Sequence, residues 1–135
     1  MPLRNLPRPG PIGRIPSDIK AFLREAERRI RTYYRRHRNS AFLPCNFCGA
    51  YGILQHLAQA QAAGTLFCEW GSGFGVVTCL AALLEFDAYG IEVDCTLVRA
   101  SRRLAADFDL PVEFVQGSLI PAGDRTLMRT AGTFA

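Results

Sequence analysis

No apolar stretch in this sequence approaches the roughly 18 residues that a membrane-crossing helix requires. The longest candidate, Val76 to Leu84, is interrupted by Thr78 and Cys79 and ends at Glu85. Acidic residues are missing before Asp18, so the leader is rich in arginine, as organelle-targeting peptides are. Pro2, Pro7, Pro9, Pro11 and Pro16 nevertheless forbid the amphipathic helix such a peptide needs, and there is no apolar signal core. A cytoplasmic location without a membrane is the expectation. A second C-x-x-C to complete the pair Cys45 and Cys48 is also missing, whereas structural zinc takes four ligands. The cysteines number five, an odd count, and Cys68, Cys79 and Cys95 fall in apolar segments. Reduced thiols without a metal are therefore expected, not a disulfide framework. Internal repeats are absent.

What is present fits one soluble globular domain: 135 residues, with 49% hydrophobic and 21% charged side chains, too apolar for a disordered chain. The net charge of +4 conceals a split. Residues 1–40 hold 11 Lys/Arg against 3 Asp/Glu, a balance of +8, and the remainder holds 5 against 9, a balance of −4. A basic arm precedes a mildly acidic body.

Residues 1–16 read as an irregular Pro/Arg-rich leader. Residues 17–63 form a helical segment. Its first helix is expected to be capped by Ser17 or Asp18, with Ile19, Phe22, Leu23, Ala26, Ile30 and Tyr33 on one apolar face. Arg24, Arg28, Arg31, Arg35 and Arg38 lie on the opposite face, and a second helix is expected over Tyr51 to Ala63, ended by Gly64. The pattern then changes to short strands alternating with helices. Strands are expected at Thr65–Glu69, Ala88–Ile91 and Val112–Val115, with helices at Val76–Leu84 and Thr96–Phe108, the second capped by Asp94. A β-α-β-α-β run implies an α/β fold with a partial Rossmann-like parallel sheet of three strands in the order 3-2-1.

The stretch FCEWGSGFGVVTCLAALLEFDAYGIEVD, Phe67 to Asp94, carries the chemistry. Gly71, Gly73 and Gly75 at a strand-to-helix turn let the backbone bend sharply and approach a ligand. Glu92 lies 21 residues beyond Gly71, at the end of the next strand, where a carboxylate can accept both hydroxyl hydrogens of a ribose. Dinucleotide binders favour G-x-G-x-x-G, but here the third position is Val76. Glu69, directly before the loop, would repel a pyrophosphate and suits a ligand with an ammonium and a sulfonium. Trp70 is expected to pack at the sheet end.

Glu69-Trp70-Gly71-Ser72-Gly73-Phe74-Gly75 resembles the E/D-x-G-x-G-x-G motif of class I S-adenosylmethionine-dependent methyltransferases. Tyr89-Gly90-Ile91-Glu92 is similar to the second-strand motif of that family, and Val115-Gln116-Gly117-Ser118-Leu119 to the segment that closes its third strand. The resemblance runs from about Thr65 to Ile120. It implies S-adenosyl-L-methionine seated over Gly71 and Gly73, with Glu69 near its methionine end, Glu92 on the ribose, and Ser118 with the Leu119 backbone at the adenine. The family often has Asp where Ser118 stands, and a neutral acceptor there makes a weaker bond.

On the family pattern, residues 64–120 would be the cofactor-binding half of a methyltransferase domain, and 121–135 an irregular tail where the domain stops short. The expected function is methyl transfer to an acceptor the sequence does not identify, with no catalytic residue to name. A noncatalytic cofactor-binding remnant and a nicotinamide-dependent oxidoreductase are the alternatives. The basic N-terminal helix admits three readings: first a solvated face, then nucleic acid contact, then docking onto the acidic body. Self-association through an unpaired edge of the first strand is a further expectation.

Overall fold

Alternating short strands and helices, with each strand too apolar to stand alone, can bury their surface only by packing into layers. The computed structural model describes residues 13–38, 40, 42, 44–60, 64–118 and 120. The tail 121–135 and the leader up to residue 12 lie outside them. The order is α1 (Ser17–Arg36), α2 (Phe47–Ala60), β1 (Leu66–Trp70), α3 (Val76–Leu83), β2 (Asp87–Glu92), α4 (Cys95–Asp107) and β3 (Glu113–Gln116). The sheet is wholly parallel with β2 between β1 and β3, as the alternating pattern predicts. Register sets Phe67 beside Ala88, Glu69 beside Gly90, and Gly90 beside Phe114. No described helix is long and apolar enough to cross a membrane.

One face of this sheet is covered. Ala88, Gly90, Glu92 and Phe114 are buried beneath α3 and α4, which right-handed crossovers bring to the same side. Helix α1 lays Ile19, Phe22, Leu23, Ala26, Ile30 and Tyr33 into the same core, the apolar stripe expected from their spacing. Phe22 and Leu80 are among its fully buried side chains, each worth about 1.5–3 kcal/mol by removal from water.

The opposite face is bare among the described residues. Strand alternation points Leu66, Cys68 and Trp70 away from the helices, and Trp70 is 71% exposed. The expectation that Trp70 packs at the sheet end is therefore corrected. β1 is an edge strand among the described residues, with β2 on one side.

Two helix starts also differ from expectation. Pro16 bounds α1 and makes no side-chain cap, so Ser17 and Asp18 already lie in the first turn. The ladder begins when the Lys20 amide donates to the Pro16 carbonyl at 3.0 Å; Asp18 remains favourable there through the helix dipole. Helix α2 starts at Phe47, upstream of Tyr51, because the Asn46 side chain accepts from the Gly49 amide at 3.0 Å and caps the earlier turn. Asp94 caps α4 as expected, accepting from the Thr96 amide at 2.8 Å.

Phe114 explains two glycines. A Cβ on Gly75 would lie 2.6 Å from the Phe114 ring and 2.6 Å from Ser101, and one on Gly90 would lie 2.7 Å from the same ring. Gly75 also holds φ at +79°, which L side chains adopt only with strain. Gly75→Ala should lower stability by about 2–5 kcal/mol, the sum of left-handed strain and overpacking. An unchanged urea midpoint would contradict this packing.

Candidate functional site

The turn between β1 and α3 is assembled by backbone bonds before any side chain acts. The amides of Gly71 and Ser72 both donate to the Ile91 carbonyl, at 2.9 and 3.0 Å, which folds the loop onto the carboxyl end of β2. The Gly75 amide then donates to Ser72 at 2.8 Å, and Cys79 to Gly75 at 3.0 Å, opening α3. Gly71, Gly73 and Gly75 all have positive φ.

Their surroundings separate them. Gly75 is filled by Phe114 and Ser101, and a Cβ on Gly73 would lie 2.5 Å from the Phe42 ring. Above Gly71 there is open space. Protein packing thus accounts for two of the glycines, and Gly71 is where the backbone is free to meet a ligand.

Glu92 is buried at the end of β2. One carboxylate oxygen accepts from the Gly73 amide at 2.8 Å and the other from the Asp94 amide at 3.0 Å. The acid therefore ties the glycine loop to the start of α4. A carboxylate offers about four acceptor positions, so two remain.

Glu69 performs the matching task on α3. Its Oε2 accepts from the Thr78 amide at 3.0 Å and from the Thr78 hydroxyl at 2.5 Å. These bonds sit in the first turn of the helix, where the dipole favours a negative group. Burial nevertheless pushes the Glu69 carboxyl above its ordinary value; the Thr78 bonds oppose the shift and the negative charge of Glu92 adds to it. The two acids are close enough to repel.

A cavity of about 130 Å³ opens beside Glu69, lined also by Gly71, Ser72, Phe42, Pro44 and Cys45. Ser72 is 5% exposed, and its hydroxyl has no hydrogen-bond partner among the described residues. Burial, with the nearby Glu69 charge, raises the Cys45 thiol, and burial chiefly pushes Cys79 up to about 12, so neither is poised as a thiolate.

The third-strand segment reaches the site through its backbone. The Gly117 amide donates to the Glu92 carbonyl at 3.0 Å, while Ser118 is exposed and its Oγ accepts from the Ile120 amide at 3.1 Å. Leu119 lies outside the described residues. The loop thus gathers Glu69, Gly71, Gly73, Gly75 and Glu92, with Ser118 beyond them.

Three participants were not read from the sequence. Thr78 carries a hydroxyl at the third helical position, a signal for an incoming acid that local pattern leaves unassigned. Ser72 sits between two motif glycines. Phe42 falls where the chain seemed only to break a helix, yet its carbonyl accepts the Tyr34 hydroxyl and its ring stacks on Tyr34 at 5.9 Å and tilts against Phe74 at 6.3 Å.

Fold and site together define an α/β protein with an all-parallel sheet, a glycine turn after the first strand and acids at the ends of the first two. No family model and no curated protein matches the sequence. Among solved structures, the chain is similar to a Pyrococcus abyssi tRNA (uracil-54, C5)-methyltransferase in complex with S-adenosyl-L-homocysteine. The likeness has 21% identity and a TM-score of 0.47, and covers 59% of this chain and 20% of that one. The chain thus spans about one fifth of that protein's length.

A pH dependence follows from Glu69. Because its folded value is raised, its contribution to stability is complete below the ordinary carboxylate value and is lost as pH rises through the folded one. Glu25 acts in the other direction and in a lower window: Arg28 and Arg29 hold it down to about 2, so its contribution is lost as pH falls from 4.5 toward that value. Urea unfolding from pH 4.5 upward should show declining stability in the parent. Glu69→Gln should flatten that decline while leaving the acid limb unchanged; an identical slope in both proteins would exclude Glu69 as its source.

Proposed function

We propose that the glycine turn binds S-adenosyl-L-methionine and that the chain belongs to a methyl-transfer system whose acceptor is a separate molecule. The observation that carries this reading is a pair of carboxylates at one turn, the half-buried Glu69 lining the cavity with Gly71 and the buried Glu92 holding the Gly73 amide, with open space at Gly71. No described cation forms an ion pair with either acid. A ligand with an ammonium and a sulfonium relieves the repulsion between the two acids, whereas a pyrophosphate would worsen it. The acids therefore favour this cofactor over a nicotinamide dinucleotide.

The residues present fit the group. Glu92 keeps two acceptor positions for a vicinal diol. The unpartnered Ser72 hydroxyl and the Glu69 carboxylate line a cavity of a size suited to an amino-acid tail. Ser118 follows β3, where an adenine acceptor would stand, with one Oγ lone pair already engaged by Ile120. Bound there, the cofactor would supply an electrophilic methyl group on a good leaving group. The chain's own contribution is to fix position, which is the larger part of catalysis for a reactant already activated. Glu69 and Glu92 need no rearrangement for this, since backbone and Thr78 bonds hold both.

Gly71 gives the sharpest test. Asn tolerates left-handed φ, so Gly71→Asn should fold normally and place its side chain in the open space. Calorimetry on the parent should detect S-adenosyl-L-homocysteine in preference to NADH. Gly71→Asn should weaken that binding at least about tenfold, and Glu92→Ala by about 1.5–3 kcal/mol, the scale of hydrogen bonds to a charged group. Tighter binding of NADH, or no response to either substitution in a folded protein, would reject the assignment.

A further inference from the structure

A groove lies between α1 and α4, sharing Phe74 with the cavity beside Glu69. Phe22 meets Phe108 edge-on at 5.0 Å, and Arg29 reaches Asp107 at 2.6 Å, which closes one end. The other end lies by Arg36 and Thr96, near the carboxyl ends of the strands. The groove encloses about 330 Å³ and is lined by Arg28, Arg29 and Arg36 from α1 and by Arg99 and Arg103 from α4.

We propose that this groove binds the phosphodiester backbone of a nucleic acid strand. Five arginines line one cavity, and the carboxylates ion-paired with them are two, Glu25 and Asp107, leaving three positive charges in excess. Arg36, Arg99 and Arg103 make no ion pair among the described residues. Folding has brought these like charges together from two separate helices, and an anion between them removes the repulsion. Guanidinium forks match phosphate oxygens in pairs, and the hydroxyl of Thr96 in the same wall can add a donor.

Two features favour a polymer over a lone phosphate. His37 is exposed at the mouth and stacks on Tyr33 with centroids 4.3 Å apart, giving a flat ring of the kind on which bases stack. A second row of exposed arginines, Arg24, Arg31 and Arg35, continues along the outer side of α1. That helix has 20 residues, roughly 30 Å of axis, and so spans several phosphates of one strand. The groove is separate from the cavity beside Glu69, and the inference holds whether or not the glycine turn takes S-adenosyl-L-methionine.

The test is fluorescence anisotropy of the full chain with a labelled RNA of about 20 nucleotides, and with a duplex DNA of about 20 base pairs, at several salt concentrations. Three neutralised phosphates predict a log–log salt slope of about −2 for a single strand. Arg99→Glu combined with Arg103→Glu should weaken binding at least about tenfold and reduce the slope by about 1–2, with an unchanged thermal melt because both side chains are exposed. Arg36→Gln should act in the same direction and more weakly. Three results would overturn the proposal: unaltered affinity of the folded double variant for RNA and for anionic phosphatidylserine vesicles alike, displacement of the RNA by ATP or inorganic phosphate at equal phosphate concentration, or a double variant that loses its affinity for those vesicles while keeping its affinity for RNA. The first would place the contact elsewhere, the second would make the groove a small-anion site, and the third would make it a membrane-surface patch.

Discussion

The Glu92 carboxylate is the tie on which the rest of the molecule's upper end depends. It is buried at the end of the central strand, where an unpartnered charge would be costly, and it is stabilised by two backbone amides from different elements. One amide belongs to the glycine loop and the other to the entrance of α4. The same residue's carbonyl receives the Gly117 amide from beyond β3. Loop, helix and third-strand segment are thus referenced to one residue, the first two through its carboxylate and the last through its carbonyl, and a ligand held by Glu92 would inherit that fixed frame.

A second constraint is steric. Phe114 fills the space left by Gly75 and Gly90, so sheet and glycine loop approach more closely than any side chain at those positions would permit. Phe42, arriving from the segment between α1 and α2, does the same at Gly73 and joins Tyr34 and Phe74 in one aromatic cluster. Phe42, Pro44, Cys45 and Phe47 are therefore part of the site's wall, and the basic groove that α1 forms with α4 shares Phe74 with the cavity beside Glu69.

Charge is arranged in opposition across this region. Acids gather at the glycine turn, where burial and mutual repulsion raise Glu69, and arginines gather between α1 and α4. A cationic small ligand suits the first and a polyanion the second. Exchange of those preferences would be electrostatically unfavourable at both places.

The sequence by itself determined the alternation of strands and helices, the parallel sheet order, the apolar face of α1, the Asp94 cap and the position of the glycine turn. Each is a local or nearest-neighbour property, carried by periodicity, by turn residues or by the crossover rule, and so is visible before folding. Tertiary structure alone decided which groups those elements present to one another. It set Thr78 against Glu69, turned Trp70 away from the core because β1 alternates beside a face that the described residues leave bare, and laid Phe42 over Gly73 rather than leaving that glycine open. It also placed Arg99 and Arg103 opposite the α1 arginines, although α4 on its own offers them only as outward charges. Contacts between residues distant in the chain depend on how layers meet, and no short-range pattern encodes that meeting.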